Sequence, residues 1–147
     1  MYNVLVLWAP DTAENRKLVD AVARTLEQAK VKVKVKGAQE ATIAEVNAAD
    51  IIVFGVQKTA SVEVPSEFSD MLRIFKGISL AGRTAGFFSM GTEKATGRLR
   101  KALKDAEINL FEEDPLFGDQ KQNSSSVLSV WSEKLIETHQ EMQHARG

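Results

Sequence analysis

The sequence predicts an α/β domain built on a doubly wound five-stranded parallel sheet, strand order 2-1-3-4-5, with helices on both faces. Three observations carry that prediction. Val4-Leu5-Val6-Leu7 and Ile51-Ile52-Val53-Phe54 are unbroken apolar runs of strand length, the pattern of strands covered on both faces. Strand-like and helix-like segments alternate along the whole chain, and right-handed crossovers between such segments wind a parallel sheet on both sides. Lys30 to Lys36 reads KVKVKVK, a strict two-residue alternation that marks an edge strand, and an outermost second strand gives the order 2-1-3-4-5.

The elements follow in order. After the first strand comes a polar loop, Ala9 to Asn15, and then a helix in which Leu18, Val19, Val22, Ala23 and Leu26 recur at helical spacing. Such a loop lies at the carboxyl edge of the sheet with the helix N-terminus pointing at it, where backbone N–H groups can receive an anion. In the second strand Val31, Val33 and Val35 share one face and lysines the other, and repeated lysine discourages pairing with another molecule. Gly37 closes it. Thr42 with Glu45 forms a capping box opening a short helix through Ala48. The third strand is expected over Ile51–Gly55, with Val56 to Val64 as loop. Pro65 and Ser66 then start a helix carrying Phe68, Met71, Leu72 and Phe75 inward.

Thr84 to Ser89 reads as the fourth strand, its Gly86 marking a close backbone approach. Met90 to Thr96 is expected as loop, and a helix after Gly97 buries Leu99, Ala102, Leu103 and Ala106. Ile108 to Phe111 is the last strand and Phe111 to Asn123 an irregular connection. Ser124-Ser125-Ser126 caps a terminal helix that turns Leu128, Trp131 and Leu135 inward. From His139 the chain is polar and is expected to fray.

Composition narrows the function. The 147 residues make one ordinary domain, 1–147, long enough to bury about two thirds of the unfolded surface. Zero cysteines exclude disulfides, thiol catalysis and thiolate metal sites. No apolar run approaches the roughly 20 residues of a membrane helix, and no basic segment precedes Val4, so a cytoplasmic protein without membrane association is expected. A net charge of −1 with interleaved acids and bases leaves no footprint for nucleic acid. His139 and His144 lie five apart, about 140° around a helix, which separates them as metal ligands; they read as solvated tail histidines, and no metal is expected. No serine, histidine and acid arrangement is motif-like, so a hydrolase has no support. Asp11 after the first strand suggests a phosphoacceptor receiver, but the third strand ends Val53-Phe54-Gly55 without an aspartate.

Length, element order, Gly55 closing the third strand, Gly82-Arg83 before the fourth and Trp131 in the last helix together resemble the short-chain flavodoxins nearly end to end. The resemblance implies flavin mononucleotide at the carboxyl edge of the sheet, electron transfer without catalysis of its own, and a redox partner protein. The implied cofactor-binding positions are Pro10, Asp11, Thr12, Ala13, Glu14 and Asn15 around the phosphate, and Gln57, Lys58, Thr59, Ala60, Ser89, Met90, Gly91 and Thr92 around the ring. Against the family's T/S-x-T-G-x-T phosphate loop, Thr12 matches and Asn15 retains a donor. Pro10 lacks a hydroxyl and an N–H, Ala13 replaces the glycine, and Asp11 and Glu14 add two negative charges.

Neither ring loop contains an aromatic residue, whereas the family places rings there; Trp8 and Met90 are the nearest substitutes. By analogy with base–aromatic stacking, two missing rings weaken binding by about 2–6 kcal/mol. Lys58 and Lys94 bring positive charge to a position where the family places acids, and the near-neutral surface steers partners weakly. The expectation is therefore a flavodoxin-like carrier holding flavin mononucleotide weakly. The alternative is a binding or interaction protein of the same fold that no longer uses flavin.

Overall fold

The centre of the structure is decided by where branched and aromatic side chains have no polar face to offer. β1 (Asn3–Ala9), β3 (Ile51–Gln57) and β4 (Thr84–Met90) are almost wholly buried, while β2 (Lys32–Gly37) is not. The computed structural model describes residues 1–9, 12–57, 66–90, 94–112 and 125–146. Its helices are α1 (Ala13–Gln28), α2 (Ile43–Ala48), α3 (Ser69–Phe75) after a single 3-10 turn, α4 (Lys94–Leu103) and α5 (Ser125–Arg146). A two-residue β5 (Asn109–Leu110) completes a five-stranded parallel sheet in the order β2-β1-β3-β4-β5.

Strand alternation divides the core into two layers. On one face Leu5, Leu7, Ile52, Phe54 and Phe87 meet α2, α3 and α4 through Val46, Met71, Phe75, Leu99 and Leu103. Phe54 stacks on Phe87, centroids 5.5 Å apart, and meets Phe75 edge-on at 6.3 Å. On the other face Val4, Val6, Ile51, Val53 and Phe88 meet α1 and α5 through Leu18, Val22, Leu26, Trp131 and Leu135. Each fully buried side chain of this size contributes about 1.5–3 kcal/mol relative to exposure.

Local chemistry fixes the ends. Thr42 Oγ1 accepts the Glu45 N–H at 3.2 Å and Glu45 Oε1 accepts the Thr42 N–H at 3.0 Å, the capping box read from the sequence. Arg83 closes the other end of α2, donating from Nη2 to Asn47 O at 2.7 Å and from Nε to Ala49 O at 3.1 Å. Gly86 answers the expectation of close approach: a Cβ there would stand 2.9 Å from Leu135 Cδ2, so α5 lies directly on the strand.

Several expected boundaries move. β3 runs on through Val56, which is buried, to Gln57. α4 starts at Lys94 rather than after Gly97, because Thr96, Leu99 and Leu103 already form its inner face and Gly97 sits on the outer one, where a Cβ would meet nothing within 4 Å. Ala102 is only half-buried, and the last strand shrinks to Asn109–Leu110 with Ile108 and Phe111 buried beside it.

The largest correction is at the C-terminus. α5 does not fray at His139 but continues to Arg146, since His139 is 0% exposed and extends the inward stripe of Leu128, Trp131 and Leu135. His144 is exposed. The placement of Pro65 at a helix start, of Ser124 in the last cap and of most of the 111–123 connection lies outside the described residues.

Candidate functional site

Three strand ends converge at the carboxyl edge of the sheet. Trp8 pairs with Gly55, Val56 with Ser89 and Gln57 with Met90, so the segments that follow β1, β3 and β4 start from adjacent positions. This is the switch point of the doubly wound sheet, since β1 leads to β2 on one side while β3 leads to β4 on the other. Crevices at that point are where open α/β sheets bind ligands.

Thr12 caps α1 at this edge. Its backbone is extended (φ −121°, ψ 155°), its Oγ1 accepts the Asn15 N–H at 3.1 Å, and its carbonyl accepts the Arg16 N–H at 2.9 Å. The N–H groups of Ala13 and Glu14 stand outside the intrahelical ladder at the positive end of a 16-residue helix. Those donors fit a phosphate. Asn15 is fully buried, its backbone N–H engaged in the cap.

Thr12, Ala13, Asn15 and Ser89 are described in full, Ser89 being 1% exposed at the end of β4; of Glu14, Gln57 and Met90 the backbone alone is described. Pro10, Asp11, Lys58, Thr59, Ala60, Gly91 and Thr92 lie outside the described residues. Trp8 stands near the carboxyl end of β1. It packs on the α1 side, with the Arg16 guanidinium carbon 5.7 Å from its ring centroid, and lines an open cavity of about 330 Å³ with Gly37, Asp20, Glu40 and Glu67. That cavity lies over the ends of β1 and β2.

Two polar clusters escaped the sequence reading. Lys34 Nζ lies 2.6 Å from Glu45 Oε2, with Lys36 Nζ at 4.0 Å, so two edge lysines neutralise the cap of α2. The Lys34 contact and then the Thr42 N–H hold the Glu45 carboxyl at about 2, below its usual 4.5. The other cluster is His139 with Thr84, at the opposite edge of the sheet: Nδ1 is 2.8 Å from Thr84 Oγ1, and both side chains are fully buried. The stripe at 128, 131, 135 and 139 was the available signal. Among the described residues no three acids, histidines or cysteines form a metal site, and no helix is long and apolar enough to cross a membrane.

A parallel sheet of order 2-1-3-4-5 with a capped helix N-terminus at its switch point defines the flavodoxin fold. Known structures agree. The chain superposes with a TM-score of 0.80 on a short-chain flavodoxin associated with a bacterial microcompartment, at 20% identity, covering 95% of this chain and 99% of that one. A flavodoxin from Streptococcus pneumonia TIGR4 gives 0.80 at 17% identity, over 92% of this chain and 99% of that one. Flavodoxin from Fusobacterium nucleatum bound to flavin mononucleotide gives 0.77 at 11% identity, over 94% and 99%. At these identities the likeness is one of fold. No protein-family model matches the sequence, and no curated protein matches it.

Proposed function

We propose that this protein is an electron carrier of the flavodoxin type that binds flavin mononucleotide weakly, phosphate first. The observation that carries the reading is the start of α1: a helix N-terminus capped by Thr12, with the Ala13 and Glu14 N–H groups outside the ladder, at the sheet's switch point. On this reading Pro10 to Asn15 surround the phosphate, and Gln57–Ala60 with Ser89–Thr92 face the ring. Flavin supplies the electron chemistry; the chain's own part is to hold the phosphate and shield the ring from water. A redox partner would meet the same edge, in the cytoplasm, with little electrostatic steering at a net charge of −1.

A second reading, an interaction module of flavodoxin fold without flavin, is favoured by Pro10, Ala13 and the absence of aromatic residues from both ring loops. Fluorescence titration of flavin-free protein separates the two. The first reading expects flavin mononucleotide to bind with a dissociation constant of about micromolar or weaker, and riboflavin at least about tenfold more weakly still. No change in fluorescence with either ligand would leave the second reading standing.

A further inference from the structure

At the amino edge of the sheet, across the molecule from the phosphate loop, His139 is enclosed on all sides. Thr84 Oγ1 lies 2.8 Å from its Nδ1, and the Tyr2 ring meets the imidazole edge-on at 4.8 Å between centroids. Gln143, one turn further along α5, places its Nε2 3.4 Å from His139 Nε2 and 3.0 Å from the Gly82 carbonyl. Gly82 sits in a turn at φ 90°, a conformation that suits glycine, so its carbonyl is held in place by the turn.

This arrangement assigns the tautomer. The Gly82 oxygen can only accept, so Gln143 must turn its NH₂ inward and offer the second hydrogen to His139 Nε2. Nε2 therefore carries a lone pair, and the ring proton is on Nδ1, donated to Thr84. The network is complete for a neutral ring. A proton added at Nε2 would point two donors at each other beside a buried ring.

Few charges face the ring. Tyr2, just before β1, approaches with its ring edge-on. Asp50, before β3, favours the protonated ring, but its Oδ2 already accepts the Asn3 N–H at 2.8 Å. Arg83, beside Thr84, is turned to the carbonyls of α2. Glu133, Glu137 and Lys30 line a separate groove between α5 and the end of α1. Burial outweighs the Asp50 attraction and lowers the His139 pKa from its ordinary value.

We infer that His139 is a proton-operated latch: as a neutral ring it fastens the last two turns of α5, His139 to Arg146, to the amino edge of the sheet, and on protonation it lets them go. In the released state the ring titrates at its ordinary value near 6.5. The latch is therefore fully engaged above about pH 6.5, and weakens as pH falls from there through the lowered value of the fastened state.

Hydrogen exchange on the whole protein tests this, with protection factors corrected for the intrinsic pH dependence of exchange. Protection over residues 139–146 is expected to fall by up to about tenfold per pH unit in that window, while protection of β1 and β3 stays constant. By NMR the His139 ring should titrate below its ordinary value near 6.5. His139→Gln should abolish the pH response and His144→Gln should leave it intact. Gln143→Met removes the donor that faces Nε2, and should raise the His139 titration while loosening the helix end at pH 7.5; it serves also if His139→Gln fails to fold. A His139 ring that titrates at its ordinary value, pH-independent protection in the wild type, or a response that survives His139→Gln would overturn the latch.

Discussion

The ring of Phe88 occupies the space beside Gly55: a Cβ on Gly55 would stand 2.2 Å from Phe88 Cζ. The two residues are direct partners across β3 and β4, and Phe88 is fully buried, edge-on to Trp131 at 6.4 Å. Glycine is therefore required here by the neighbouring ring and not by a backbone angle. Gly55→Ala should destabilise the protein by about 1–3 kcal/mol through forced displacement of that ring. Urea unfolding of Gly55→Ala, and of Gly55→Ala combined with Phe88→Leu, provides the check. The second change should recover part of the loss; a single mutant indistinguishable from wild type would show that the ring moves freely.

The loop charges are a separate matter. A doubly charged phosphate about 6 Å from a carboxylate at an effective dielectric of 20 meets roughly 5 kcal/mol of repulsion, which screening by salt and solvent reduces to about 1–2 kcal/mol. Replacing Asp11 with Thr, Ala13 with Gly and Glu14 with Asn should tighten flavin mononucleotide binding by at least about tenfold. Riboflavin, which lacks the phosphate, should gain almost nothing. Equal gains for both ligands, or none, would place the limit on affinity in the ring loops instead.

Acid stability should report on Glu45. Its carboxyl is held at about 2 against a usual 4.5, so the folded state binds the proton less readily than the unfolded chain. The contribution is complete above pH 4.5 and is lost as pH falls through about 2. Glu45→Gln should lower the Tm at pH 7, and the gap to wild type should close towards pH 2. A gap that stays constant across this range would mean that the cap works without its charge.

Trp8 offers a test of geometry. Because its ring is engaged by Arg16 on the α1 side, Trp8→Leu should lower the Tm yet change the dissociation constant for flavin mononucleotide by less than about twofold. Tenfold weaker binding, the equivalent of about one stacked ring, would put the indole against the flavin after all.

What could be read from the chain was whatever repeats. The apolar runs of β1 and β3, the valine–lysine alternation of β2, the capping box at Thr42 and the stripe on α3 each signal by spacing, and each was found where spacing put it. Gly97 misled because a glycine reads as a break, whereas on a solvent-facing helical position it costs only about 1 kcal/mol. His139 misled for the opposite reason: its polarity hid its place in an inward stripe, and the partners that make it comfortable, Thr84 and Tyr2, are far away in sequence. For the same reason Glu45 could be read as a cap but not as the partner of Lys34, and Trp8 could be placed at a strand end but not turned to one side.

Every described strand pairing of the sheet is parallel, and this governs the order in which the molecule can assemble. Asn3 finds Asp50 across 47 positions, Arg83 finds Ala49 across 34, and Thr84 finds His139 across 55. No strand pair can zip from a local turn, so loop closure precedes every gain from pairing, and folding belongs to the slower regime of non-local topologies. During synthesis β1 leaves the ribosome first and then waits, its edges open, for β2 and β3. α1 covers one face over β1, but on that face Gly86 and Phe88 of β4 stay open until α5 brings Leu135 and Trp131 onto them, so the nascent chain carries an uncovered apolar patch from the making of β4 to the making of α5.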